Sequence, residues 1–138
     1  VPVSEHLDLP ERTRWFDLER SQVRSARQFV ATTLVDWGLD AMVADAELAV
    51  SELVGNAVLH SNGASGVEVR ILAGPRTVRV LVCDDGEVPR EPVVEEHPDP
   101  VDPTGRGLAV VGVLASAWGI DRSGTGTTVW FELDRPEP

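Results

Sequence analysis

AELAVSELVGNAVLHSNG, residues 46–63, decides how the rest of the chain is read. Ala46, Val50, Leu53 and Ala57 recur at helical spacing, so the run is an amphipathic helix with an apolar stripe. Beside that stripe stand Glu52, Asn56 and His60, each four residues from the last and therefore in one column. An Asn carbonyl oxygen can ligate Mg2+, and a carboxylate one turn earlier can orient a hydroxyl or a water for attack. The edge of a solvated helix would show the same column. The helix alone therefore does not choose between surface and site.

Working outward, SQVRSARQFVATTLVDW, residues 21–37, places Val23, Ala26, Val30, Leu34 and Trp37 on one face of a preceding helix. Gly38 follows where a left-handed C-terminal cap belongs, and Asp40 is placed to cap the next helix. Before them, a stretch around Arg14 to Leu18 can add an edge strand. Downstream, the turn-rich SNGASG leads into GVEVRIL, where Val67, Val69 and Ile71 alternate with Glu68 and Arg70. TVRVLVC, residues 77–83, repeats that period after the AGPR turn, and the two runs are expected to pair as a hairpin.

The next segment, VPREPVVEEHPDPVDPTG at residues 88–105, is rich in Pro and carries Glu91, Glu95, Glu96, Asp99 and Asp102. We expect no regular structure in it, and a loop of this length inside a domain points to a lid, at approximately residues 87–106. GRGLAVVGVLASAWGI then reads as a glycine-rich start to one apolar helix, SGTG as a turn, and TTVWFEL as a closing strand with Val129, Phe131 and Leu133 on one face. No internal repeat appears. The expected fold is α+β: a single domain over residues 1–138, a two-layer α/β sandwich whose mixed, mainly antiparallel sheet has helices on one face.

Composition bounds the function. A 42% hydrophobic and 25% charged chain of 138 residues is ordinary for one globular domain. A formal net charge of −11, with 12 basic residues scattered singly, argues against a phosphate backbone as partner, so no direct nucleic acid is expected. A small anion remains open, because backbone N–H groups and a metal ion can bind it locally. Cys83 is the single cysteine, which excludes an intramolecular disulfide and fits a reducing compartment. With no apolar run near membrane-span length, we expect no membrane association and a cytoplasmic location.

Three more short motifs carry chemistry. CDDG, residues 83–86, brings Asp84 out of a strand into a glycine turn, where a carboxylate can accept the exocyclic N–H of an adenine. GRGL, residues 105–108, puts glycines before a helix start, where free N–H groups favour phosphate. GTGTT, residues 124–128, is a tight turn before the last strand. Each of the three is common as a plain turn.

Their order is more specific. Glu-x-x-x-Asn on a helix, Asp-x-Gly after a strand, a lid, Gly-x-Gly before a helix and Gly-x-Gly-Thr before a strand follow the N, G1, G2 and G3 boxes of the Bergerat-fold (GHKL) ATPases. The chain resembles that superfamily over nearly its full length. Within it, SELVGNAVLHS, WGI and GTTVWFEL look most like the bacterial anti-sigma-factor serine kinases, which have a histidine-kinase-like ATPase domain. The phosphoacceptor His and helical hairpin of a full histidine kinase find no room in these 138 residues, and His60, lying inside the N box, is not proposed as a phosphorylation site.

The resemblance implies roles. Glu52 matches the general base that prepares a serine hydroxyl, and Asn56 the Mg2+ ligand. Asp84 matches the adenine reader and Gly86 the glycine that lets the base approach the backbone. Gly105 and Gly107 match the lid glycines, with Leu108 completing GRGL, and Arg106 between them is placed to meet a phosphate oxygen. Gly126 and Thr127 match the final box, with the Thr127 hydroxyl, or alternatively that of Thr128, joining the adenine network. One departure is Gly86-Glu87-Val88, where the family often continues Gly-x-Gly.

By resemblance, then, this is an ATP- and Mg2+-dependent serine/threonine-protein kinase and anti-sigma factor. It would phosphorylate a STAS-type anti-anti-sigma factor, sequester a sigma factor and form a homodimer. Two readings stay open beside it: a catalytically weak or inactive nucleotide-sensing module that regulates by contact, and an ATP hydrolase without a protein substrate.

Overall fold

The alternating valines of GVEVRIL and TVRVLVC form β2 (Gly66–Ala73) and β3 (Thr77–Asp84), antiparallel neighbours with Val69 opposite Val82 and Ile71 opposite Val80. The computed structural model describes residues 10–60, 63–86, 94–96, 109–121 and 126–136. β1 (Glu11–Asp17) flanks β2 on the outer side, while β6 (Thr128–Asp134), β5 (Ala117–Asp121) and β4 (Val94–Glu96) continue beyond β3. The order is β1-β2-β3-β6-β5-β4 in one six-stranded sheet. The sheet expected to be mixed and mainly antiparallel is antiparallel at every described pairing.

The two long helices follow the apolar stripes read from the sequence. α1 (Arg20–Asp36) buries Ala26, Val30 and Leu34, and α2 (Val43–His60) buries Ala46, Ala49, Val50, Leu53 and Val54. These side chains join Val67, Val69, Ile71, Val78, Val80, Val82 and Phe131 in one core cluster. Burying each of the Val, Leu, Ile and Phe side chains contributes roughly 1.5–3 kcal/mol. That contribution fixes the pose of α2, and with it the polar column. Phe16 of β1 meets Phe29 of α1 at 5.8 Å between ring centroids, closing the outer end.

Gly38 caps α1 as expected. Its φ of 74° lets Leu39 N–H donate to Leu34 O at 2.8 Å, satisfying a terminal carbonyl. Asp40 does not cap α2. A 3-10 turn, Asp40–Met42, intervenes, with Leu39 at its N-cap position and α2 starting at Val43. Gly55, inside α2, has open space where a Cβ would stand. Gly55→Ala should therefore raise stability by about 0.5–1 kcal/mol in a denaturation midpoint, and an unchanged or lower midpoint would show that the space is used.

Two expectations are corrected. The run after GRGL is not one helix: α3 (Ala109–Leu114) ends early, and Ala117–Asp121 is the strand β5, with Trp118 and Ile120 buried. A continuous apolar run reads the same for a short buried strand and a helix, and period alone does not separate them. The Pro-rich lid, expected to lack regular structure, contributes β4, paired to β5 with Val94 opposite Asp121. Pro92 and Pro98 flank this strand and none lies within it, so no ladder donor is lost.

Candidate nucleotide-binding site

Asp84 is the last residue of β3, and the segment before β6 closes over it. Asp84 N–H donates to Thr127 O at 2.9 Å, and its Oδ1 accepts from Gly86 N–H at 2.9 Å and Thr127 N–H at 3.3 Å. Among the described residues Oδ2 has no partner, so one oxygen orients the carboxylate and the other is left without a described contact. The close approach requires glycine at 126. Its φ is +91°, and an added Cβ would overlap the Asp84 carbonyl oxygen and lie 2.8 Å from the carbonyl carbon.

Of the two threonines, Thr127 supplies the backbone contacts to Asp84. Thr128 pairs with Cys83 in the ladder, so the two side chains stand side by side. Cys83 alternates with the core residue Val82, which puts this threonine hydroxyl on the sheet face away from the helices. Burial is the main influence on the Cys83 thiol and pushes its pKa up, so the group is a poor thiolate.

α2 runs to His60, and the chain described again from Gly63 enters β2, where Val67 pairs with Asp84. Glu52 and Asn56 lie one turn apart on α2, both half-buried. Among the described residues Glu52 has no hydrogen bond or ion pair, and the buried Asn56 Nδ2 has no hydrogen-bond partner. An orphaned buried amide costs free energy unless something else meets it. The orphaned atom is a donor, which suits a phosphate oxygen; Mg2+ would call instead on Oδ1 of the same amide, as a single protein oxygen beside phosphate oxygens and waters.

Gly86 is buried beside Asp84. Gly105, Arg106, Gly107 and Leu108 lie outside the described residues, as do Glu87 and Val88. Asp85 was not singled out in the sequence. Its Oδ1 accepts from Ser65 N–H at 2.8 Å and Gly66 N–H at 3.3 Å, and its Oδ2 from the Ser65 hydroxyl at 2.5 Å. These bonds, the Ser65 hydroxyl first, hold the Asp85 carboxyl below its ordinary value of 3.8. A depressed folded-state pKa means that its stabilising effect is present above that ordinary value and is lost as pH falls through the lowered one.

The chain matches the histidine kinase-like ATPase domain family over residues 16–133, from within β1 to within β6. It belongs to that family, a type of ATPase domain in the GHKL superfamily. No curated protein matches it. No helix among the described residues is long and apolar enough to cross a membrane.

Proposed function

We propose that this protein is an ATP-dependent serine protein kinase and anti-sigma factor, which phosphorylates a STAS-type anti-anti-sigma antagonist and sequesters a sigma factor. The observation that carries the reading is the pair Glu52 and Asn56, one turn apart on α2 and free of described partners. Asp84 Oδ2 reads the adenine amino group, while Gly86, Gly126 and Thr127 hold the carboxylate in place. Gly105, Arg106, Gly107 and Leu108 meet the phosphates.

Asn56 would hold Mg2+, which when bound would neutralise charge on the phosphate oxygens. Glu52 takes the proton of the acceptor serine as that oxygen attacks the γ-phosphorus in line; the bond to the bridging oxygen breaks and ADP leaves. The same reading puts the protein in the cytoplasm as a homodimer.

The test is transfer of labelled γ-phosphate to proteins retained from lysate with and without ATP, followed by phosphosite mapping. Serine labelling of a retained antagonist is the expected result. ATP binding with no labelling would instead leave a nucleotide-sensing module, and phosphate release indifferent to any partner would leave a hydrolase. Asp84→Ala should weaken ATP binding by about 1–3 kcal/mol, the scale of one lost hydrogen bond in a desolvated site. Calorimetry reads this directly, and equal affinity of the wild type for ATP and GTP would remove Asp84 as a reader of the base.

A further inference from the structure

Asp85 is exposed, yet its carboxylate collects Ser65 N–H, the Ser65 hydroxyl and Gly66 N–H. Exposed polar contacts usually contribute little to stability, so the interest lies in what this one joins. β3 ends at Asp84, so Asp85 is the first residue without a ladder to hold it. Ser65 closes the connection that follows α2, the helix of Glu52 and Asn56. Its carbonyl in turn accepts from Leu18 N–H at 3.2 Å, tying in the segment between β1 and α1. Gly66 is fixed as well, because a Cβ there would meet the Trp15 ring and lie 2.6 Å from Phe16 O.

We propose that Asp85 is a positioning residue for nucleotide recognition: by clamping the Ser65 turn, it holds the segment that aims Asp84 at the base in register with α2. The proposal rests on the adenine-reading role given to Asp84. Asp84 Oδ1 takes its direction from Gly86 N–H, one residue beyond Asp85. Rotation of the chain at Asp85 would carry Gly86 N–H away and turn the free Oδ2 with it. The clamp touches no nucleotide. It acts through the orientation of its neighbour.

The measurement is ATP and GTP affinity by calorimetry, with thermal midpoints, for wild type, Asp85→Ala, Asp85→Asn, Ser65→Ala and the Asp85→Ala/Ser65→Ala pair. Asp85→Ala should lose about tenfold in ATP affinity and most of the preference for ATP over GTP, a single hydrogen-bonded anchor being worth about that factor. Asp85→Asn keeps an acceptor for the two N–H groups and should retain most of both. Ser65→Ala should fall between them and add nothing on the Asp85→Ala background, since both act through one clamp.

A merely structural clamp would lower the thermal midpoint and leave the ATP-to-GTP ratio as it was. That ratio unchanged in Asp85→Ala, in a wild type that prefers ATP, overturns this proposal and spares the role of Asp84. A wild type without preference overturns both. Should Asp85→Ala fail to fold, Asp85→Ser, whose oxygen is too short to hold both Ser65 groups, carries the same comparison.

Discussion

Glu52→Gln should bind ATP as the wild type does and transfer phosphate to its protein substrate about 10²- to 10⁴-fold more slowly, the range for loss of a positioned base. The substitution is nearly isosteric. Glu52 is half-buried on α2 and pairs with no described cation, so removing its charge strands no partner. The helix is held from its other side by Val50, Leu53 and Val54, which the change leaves alone. Asn56, one turn on, keeps its place, and nucleotide binding should survive. Single-turnover transfer measured beside ATP affinity separates the two effects. Wild-type transfer rates in the variant would take Glu52 out of the mechanism, and a matching loss of ATP affinity would make it a binding residue instead.

How far the sequence carried depended on the range of the signal. α2 was legible because its apolar stripe and its polar column both repeat at helical spacing within one element. The β2 and β3 hairpin was legible for the same kind of reason, with alternation on both sides of a short turn. β5 was not, since Ala-Val-Val-Gly-Val-Leu-Ala-Ser-Ala-Trp-Gly-Ile has no change of period where α3 stops; pairing with β6 makes the strand, and Trp118 and Ile120 meet the core only once that neighbour is present. β4 was hidden because the Pro residues around it dominated the reading of the whole lid.

The candidate site divides along the same line. Glu52 and Asn56 are local, and Asp84 stands at the end of a period-two run, so all three were visible. The clamp from Asp85 to Ser65 spans residues 20 apart, and no spacing rule links a turn before one strand to a turn after the next. The only cue was the second acid in CDDG, which any Asp-Gly turn would also show. The sequence put Thr127 first for the hydroxyl role, with Thr128 as the alternative, on resemblance alone. Register separates them: Thr128 stands opposite Cys83 in the ladder, while Thr127 is the residue whose backbone closes on Asp84.

Gly126→Ala should be the most damaging small change at this end of the sheet. In sequence it looks like a loop glycine, where adding a methyl is often harmless or helpful. Here the backbone has φ +91°, which an L side chain rarely adopts, and the new Cβ would run into the Asp84 carbonyl. The obstacle is backbone in the last residue of a central strand, paired on both sides, so it cannot swing away as the tip of a side chain would. The segment before β6 must retreat instead. Retreat breaks the bonds from Asp84 N–H to Thr127 O and from Thr127 N–H to Asp84 Oδ1 together.

We expect a loss of about 2 kcal/mol or more in stability, from strain and from the two displaced bonds. ATP affinity should fall at least as far as in Asp84→Ala, because the carboxylate remains but loses its aim. Thr127→Ala is the matched control. It keeps both backbone groups and removes only the hydroxyl, so stability should hold and ATP affinity should fall less. If Thr127→Ala equals Gly126→Ala in ATP affinity, the hydroxyl and not the closing backbone carries this box. If Gly126→Ala melts and binds as the wild type does, the close approach over Asp84 is not what holds the reader in place.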